Sequence, residues 1–528
     1  MMKFPIGIQS FAQIREDNYV YVDKTRLIHQ LATTGKIYFL SRPRRFGKSL
    51  LISTLKNFFL GKKELFKGLA IESLETEWAE YPVFHIDFNG DDFTCPGTLE
   101  LKIESRIATW EITYGKTPVP STIGDRFAYV LKQAYKQTGR RCVVLIDEYD
   151  KPILDVLDTE LKDEKQERLL EDRNREVLKG FYSVFKAADD DLQFVLLTGV
   201  TKFSQVSVFS GFNQPVDISM DHRYEALCGI TQEELERYFA EPIEKMAREK
   251  GMTADEIMTQ LKLQYDGYHF SKKLTDIYNP FSLLNAFAQQ DMQDYWFRSG
   301  TPSYLIRLLT HTNENLNEIT GKYYDPQEFV DYKASMEKPL PMIYQSGYLT
   351  VKNYDPTFGT FLLDFPNNEV KKGFLALTAS DYFNPRQEIG GWIRNIVISL
   401  RKGEPDSLRK LFTSFLADIP YTMRRKENER ERERYFHYTF YLIFRLISVY
   451  TVYTEKEQSE GRVDCIVETS DYIYIFEFKL DGTAEEALNQ IEMKGYARPY
   501  TSDKRTLYKI GVSFSSQTGT IEDWKMTV

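Results

Sequence analysis

Cysteine and histidine are scarce in this chain of 528 residues, which has 4 of the first and 6 of the second. The cysteines, Cys95, Cys142, Cys228 and Cys465, stand far apart with no CxxC pair, so no zinc or redox motif can be read from them. They are expected to be buried thiols, and the scattered histidines form no metal cluster by spacing. Long apolar runs are missing as well. The most apolar late segment, LIFRLISVYTVY from Leu442, is interrupted by Arg445, and nothing reaches the about 18 residues of a membrane span. The opening MMKFPIGIQSF lacks the apolar core of a signal peptide, so a cytoplasmic protein without a membrane partner is predicted. Positive charge is not in excess either: 68 Lys and Arg against 77 Asp and Glu leave a formal net charge of -9. The molecule as a whole repels nucleic acid, and contact with it would need a locally basic channel.

What is present is ample material for folding. At 42% hydrophobic and 27% charged residues the chain is too balanced for disorder, and its length predicts at least two cores. No internal repeat or low-complexity linker marks the boundaries. From Ile37 to about Val200, the apolar runs IYFL, VFHIDF, VVLIDEYD and FVLLTGV alternate with helical stretches, which predicts an α/β domain with a largely parallel, buried sheet. Thr231 with Glu234, and Thr253 with Glu256, then form capping boxes ahead of amphipathic helices, a helical lid. Between Asp294 and Pro420, YLTVKNY and TFLLDF read as a hairpin turning through Asp355, Pro356 and Gly359, in a helical, winged-helix-like connecting region. The stretch RRKENERERER from Arg424 is mixed in sign and reads as a solvated helix face. The last hundred or so residues return to helix, strand, strand, helix. The expected parts are 1–210, 211–295, 296–425 and 426–528.

Two places carry chemistry. After the strand Ile37–Leu40 comes SRPRRFGKSL and then an apolar helix, the order a phosphate-binding P-loop requires. Backbone N–H groups at the helix start bind phosphate oxygens, Gly47 allows close approach, Lys48 supplies a point charge to the β- and γ-phosphates, and Ser49 would hold Mg²⁺. The usual loop opens with glycine where this chain has Arg42, followed by Pro43. About a hundred residues later VVLIDEYD brings Asp147 to the end of a buried strand as a second Mg²⁺ ligand, with Glu148 beside it as a general base for water. Thr198, at the end of FVLLTGV, is the candidate sensor of the γ-phosphate. The competing reading makes Gly47 and Lys48 ordinary turn and surface residues and Asp147 a helix cap.

With YVDKT at Tyr21, SRPRRFGKSLL at Ser41, VVLIDEYDKP at Val143, LTGVTKFS at Leu197, YDGYHF at Tyr265 and YNPFSLL at Tyr278, roughly the first 290 residues resemble the AAA-ATPase-like family found beside nuclease domains in bacterial proteins. The resemblance covers the irregular loop, since RPRRFGKS looks like that family's own form of it. It implies an AAA-like P-loop ATPase core with ATP and Mg²⁺ at Lys48, Ser49 and Asp147.

Near the C-terminus, GRVDCIVE from Gly461 precedes DYIYIFEFKLDG from Asp471. Strand alternation puts Ile473, Ile475, Glu477 and Lys479 on one face, and a hairpin would bring Asp464 beside Glu477 to make an oxygen site for Mg²⁺ or Mn²⁺. Lys479 would orient or activate water against a phosphodiester. Glu433, at the start of an upstream helix, is a further candidate metal ligand, and EEALNQIEMKGYA places Gln490 and Tyr496 after the second strand. A surface ion pair between Glu477 and Lys479 is the plain alternative. From about Glu429 to Tyr500 the segment resembles PD-(D/E)xK nucleases, a restriction-endonuclease-like α/β fold, with Val463 in place of the proline. That resemblance implies Asp464 and Glu477 as metal ligands, Lys479 as assistant to the nucleophile, and Gln490 as a contact to substrate or metal. The expectation is therefore an ATP-hydrolysing P-loop protein coupled to a Mg²⁺-dependent nuclease acting on DNA, with a homo-oligomer left open. The alternative is a nucleotide-dependent switch or scaffold whose C-terminal domain binds nucleic acid or protein without cutting.

Overall fold

The four short apolar runs become strands of one parallel sheet, β1 (Ile37–Ser41), β2 (Val83–Asp87), β3 (Cys142–Asp147) and β4 (Leu192–Gly199), and the two-residue β5 (Val216–Asp217) joins them, in the spatial order β2-β3-β4-β1-β5. All of β3 is buried, the pattern of a strand inside a covered parallel sheet. Because β4 lies between β1 and β3, the strand ends that carry the loop and the acids are neighbours: Leu40 pairs with Thr198, and Ile146 with Leu197. Helices α1 (Lys48–Phe59), α2 (Thr98–Tyr114) and α3 (Ile123–Thr138) accompany the strands. In α3 the buried residues Phe127, Val130, Leu131 and Ala134 follow the helical spacing, and Arg126 reaches both carboxylate oxygens of Glu111 on α2 at 2.8 Å.

The computed structural model describes residues 2–119, 121–157, 159–163, 168–202, 215–299, 319–330, 339–383, 389–418, 443, 452–454, 457–458, 461–462, 464–515, 517–518 and 520–528. These fall into two units, Met1–Val370 and Lys371–Val528, so the expected connecting region 296–425 is divided between them. In the first unit both expected capping boxes form, at the starts of α4 (Gln232–Lys250) and α5 (Ala254–Tyr265). With α6 (Pro280–Gln289) these helices enclose their own core, where Phe239 and Phe287 stack at 5.1 Å. Pro242 lies inside α4, which kinks at Phe239. The expected hairpin is also there, β7 (Thr350–Asp355) against β8 (Thr360–Asp364), and a strand not anticipated, β6 (Lys322–Tyr324), pairs with the other edge of β8.

In the second unit α7 (Asn368–Phe383), which begins at the end of the first, is followed by further helices and a mixed sheet, β9 (Val452–Thr454), β10 (Cys465–Glu468), β11 (Tyr472–Leu480), β12 (Thr506–Phe514) and β13 (Ile521–Thr527), in that spatial order. Only β11 and β12 are parallel, and the connection between them carries α8 (Ala484–Met493). Ile466, Ile473 and Ile475 pack on one face with Ile491, Tyr496 and Tyr500. The opposite face of β11 is an aromatic ladder, Tyr474 stacking with Phe476 at 6.3 Å and Phe476 with Phe478 at 6.2 Å. Cys142, Cys228 and Cys465 are buried as expected, but Cys95 is exposed, because it falls in the turn-rich segment after β2 rather than in a strand.

Candidate functional site

At the end of β1 the chain turns into α1 through Gly47, whose φ of 92° is one that L side chains rarely adopt. Lys48 opens the helix and is 3% exposed, which removes the surface reading. Its Nζ donates to the carbonyls of Arg42 (3.2 Å) and Pro43 (3.3 Å) and lies 3.3 Å from Glu148 Oε1. The irregular opening of the loop is held by a side chain. Arg42 is buried, donates to the carbonyls of Ser41 (2.9 Å), Ser219 (2.8 Å) and Tyr224 (3.4 Å), and stacks 4.1 Å over the Phe270 ring. Burial pushes its pKa down from the usual range.

Asp147 ends β3, where its Oδ1 accepts from Thr198 Oγ1 at 2.6 Å and from the Glu148 N–H at 3.1 Å. Glu148 has a φ of 50°, a left-handed conformation that costs a non-glycine residue energy and aims its carboxylate at Lys48. Lys48, Ser49 and Glu148 line a cavity of about 500 Å³ together with Arg44, Arg45, the segment Pro5–Gln9, and Pro280, Phe281 and Leu284. An apolar cavity of about 100 Å³ adjoins it, lined by Pro5, Val22, Phe46, Ile230 and Leu284 among others. Thus Gly47, Lys48, Ser49 and Glu148 line one cavity, while Asp147 and Thr198 are buried beside Glu148 at adjacent strand ends and do not line it. Asp150 escaped the sequence reading. It is buried, and its Oδ2 accepts from the N–H groups of Val200 (3.0 Å) and Thr201 (2.6 Å) and from Thr201 Oγ1 (2.7 Å). Burial, then the charge of Glu148, push its pKa up to about 6. The signal was the third carboxylate of VVLIDEYD.

The second constellation forms on the face of β11 covered by α8. Cys465 pairs with Phe476 in the antiparallel register, so Asp464 meets the chain beside Glu477, and its Oδ2 accepts the Phe478 N–H at 2.8 Å. Glu477 is 2% exposed; its Oε1 accepts from Gln490 Nε2, and its Oε2 is buried with no hydrogen-bond partner. Burial first, then the neighbouring Asp464 charge, push its pKa up to about 8. Lys479 Nζ donates to Gln490 Oε1 at 2.5 Å, so one amide joins acid and lysine. With Glu477 buried and Asp464, Lys479 and Gln490 half-buried, this is not a solvated ion pair. Tyr496, expected after the second strand, is buried and hydrogen-bonds Gln490, with burial raising its pKa. Gly511 pairs with Glu477 across β11 and β12, and a Cβ there would press on the Ala484 carbonyl and lie 2.9 Å from Leu488 N; its absence lets α8 sit close enough for Gln490 to reach.

A buried carboxylate oxygen without a donor is costly, and a divalent cation would satisfy it, so Asp464 and Glu477 fit a metal. Among the described residues no group of three or more His, Cys, Asp or Glu could hold one. Glu433 lies outside the described residues, as does the helix expected to begin near it. No described helix is long and apolar enough to cross a membrane.

Comparison with known proteins gives one family match over each of the two segments. The predicted AAA-ATPase family matches residues 5–209, and the PD-(D/E)XK nuclease superfamily matches residues 431–524. An uncharacterized protein in the vnfD 5' region of Azotobacter chroococcum mcd 1 is 35% identical over 519 residues, covering 97% of this chain and 96% of that one. That similarity spans both matched segments, and this chain belongs to the family of predicted AAA-ATPases and carries a PD-(D/E)XK nuclease superfamily domain.

Proposed function

We propose that the N-terminal domain binds and hydrolyses ATP with Mg²⁺, and that the C-terminal domain is a metal-dependent nuclease that acts on DNA in the cytoplasm. The observation that carries the nuclease half is the Glu477–Gln490–Lys479 bridge around a buried carboxylate oxygen with no donor. At the first site the groups that would meet a nucleotide already hold one another. Lys48 rests on loop carbonyls and on Glu148. An arriving phosphate competes for the lysine, and its withdrawal frees Glu148 to take a proton from the attacking water. The amides at the start of α1 donate to the phosphate oxygens. Ser49 and Asp147 would hold Mg²⁺, which supplies neutralisation of phosphate charge when bound. Thr198 orients Asp147, and the apolar cavity beside Phe46 and Ile230 suits the nucleotide base.

At the second site Asp464 and Glu477 would hold Mg²⁺ or Mn²⁺, which when bound supplies charge neutralisation at the scissile phosphate. Gln490 fixes the Lys479 ammonium next to Glu477, where it orients water toward the phosphorus, and Tyr496 steadies Gln490 from behind.

The test is cleavage of linear and circular DNA by the full-length protein with Mg²⁺ or Mn²⁺, with and without ATP, comparing wild type with Lys479→Ala and Lys48→Ala. Metal-dependent cutting lost in Lys479→Ala, and ATP binding lost in Lys48→Ala, are expected. No cutting under any condition would leave a nucleotide-dependent switch or scaffold, and unchanged ATP affinity in Lys48→Ala would sink the ATPase half.

A further inference from the structure

The phosphate loop is tied to a part of the chain well outside residues 5–209. Trp296 Nε1 donates to the carbonyl oxygen of Arg44 at 2.9 Å, across 252 residues of sequence. The next loop residue, Arg45, has a φ of 66° and stacks its guanidinium 4.3 Å over the ring of Phe281 in α6. Both anchors hang from one buried carboxyl. Glu369 Oε1 accepts from the Trp296 backbone N–H at 2.6 Å, and its Oε2 accepts from Ser282 Oγ at 2.8 Å, next to Phe281. Glu369 is 1% exposed, and these partners are a backbone amide and a hydroxyl rather than a cation. It sits in the first turn of α7, a helix that begins in the first unit and whose later residues belong to the second.

A buried acid held only by neutral donors is an expensive way to pack a helix start. It becomes intelligible by what it holds: the indole aimed at Arg44 and the helix end under Arg45, the two loop residues that line the cavity with Lys48. The peptides that receive Lys48, those of Arg42 and Pro43, lie immediately upstream of the one Trp296 grips. We infer that Trp296 and Glu369 are positioning residues of the nucleotide site, fixing the Arg44–Arg45 turn from the first turn of α7, so that nucleotide occupancy and the order of that turn are linked in both directions. Linkage of this kind is reciprocal for binding free energies. The inference rests on the ATP-binding reading above.

The experiment uses the full chain and Mg²⁺-ATP, with affinity from calorimetry, steady-state turnover, and hydrogen exchange of the peptide 366–377 with and without nucleotide. Trp296→Phe keeps the ring and removes the N–H donor. It should weaken ATP binding about five- to tenfold, the effect of one hydrogen bond, raising KM more than it lowers kcat, and it should abolish the nucleotide-dependent change in exchange at 366–377. Glu369→Ala should do the same, while Glu369→Gln, which keeps an acceptor for the Trp296 N–H and offers an amide to Ser282 Oγ, should stay within about twofold of wild type. If Glu369→Ala does not fold, Trp296→Phe and Glu369→Gln carry the test. Wild type that binds ATP while Trp296→Phe keeps both its affinity and its exchange response would overturn this inference alone. Wild type that does not bind ATP, or Lys48→Ala that binds it equally well, would instead remove the ATP-binding reading beneath it.

Discussion

Asp147 in the first unit and Glu477 in the second are each 2% exposed on a central strand, and each is flanked by a second carboxylate, Glu148 or Asp464. Their surroundings differ. Asp147 Oδ1 receives a hydroxyl and an amide, and a lysine stands against its acidic neighbour. Glu477 receives one side-chain amide on Oε1 and nothing on Oε2, and burial lifts its pKa to about 8. Asp147 is compensated by its own neighbours. Glu477 keeps an oxygen uncompensated, and that deficit is what a cation would relieve.

The sharpest way to break this contrast is Glu477→Gln. Cleavage should fall on the order of 10³-fold, since a charge that acts in the transition state is removed. In metal-free protein the same change should stabilise, and the sign follows from the raised pKa. With an unfolded-state pKa of about 4.3, the native state binds more protons than the unfolded state from there up to about 8. The stability associated with neutral Glu477 is fully present below about pH 4.3 and is lost as pH rises through about 8. The amide of the variant cannot ionise, so chelated Glu477→Gln should match wild type in acid and melt above it beyond about pH 8. Thermal denaturation in chelator across about pH 5–9, the span of this titration, reads it. A variant that melts with wild type throughout that range would mean that Glu477 carries no such deficit.

How much of this was legible in the sequence divides along the range of the contacts. Gly47, Lys48 and Ser49 were placed because a strand, a loop and a helix follow one another directly, and Glu477 with Lys479 because a strand alternates every second residue. Capping boxes at Thr231 and Thr253 were equally local. Distant partners were not legible. Nothing in RPRRFGKS says that Arg42 will find carbonyls at Ser219 and Tyr224, or that the Arg44 carbonyl will be met by Trp296. Asp150 was visible as a carboxylate, but its task of gathering Val200 and Thr201 exists only once β4 lies beside β3. The strand β6 carries only three residues, KYY, too short for its alternation to be recognised.

Gly511 tests whether the second site depends on backbone approach, as the first does on its loop. The residue pairs with Glu477 and faces the start of α8, where a methyl group would meet backbone, not a yielding side chain. Gly511→Ala should cost about 1–3 kcal/mol of stability through forced separation of helix and sheet. Cleavage should fall with it, because Gln490 is carried on that helix and must reach Glu477 and Lys479 together. ATP turnover should stay at the wild-type rate. Unaltered cleavage in Gly511→Ala would show that the close approach of α8 is packing alone.

The smallest effect is expected at Thr198, and it bears on the same contrast from the other side. Thr198→Val preserves shape on a fully buried strand end and removes one of the two donors to Asp147 Oδ1, leaving the Glu148 amide. Asp147 would then have a single donor on that oxygen, as Glu477 does on its own. If the first site works by holding its acid in a prepared orientation, the loss should be on the order of 1 kcal/mol, about fivefold in ATP turnover, with ATP affinity nearly unchanged because the phosphate contacts proposed for Lys48 and the α1 amides would remain. Turnover and affinity falling together would mean that Thr198 touches the nucleotide in the ground state as well. Turnover equal to wild type would mean that the Glu148 amide alone orients Asp147. The two carboxylates would then differ in the charge set against their sites rather than in the number of their donors: Lys48 lies directly against Glu148 at one, while Lys479 is held on Gln490 at the other.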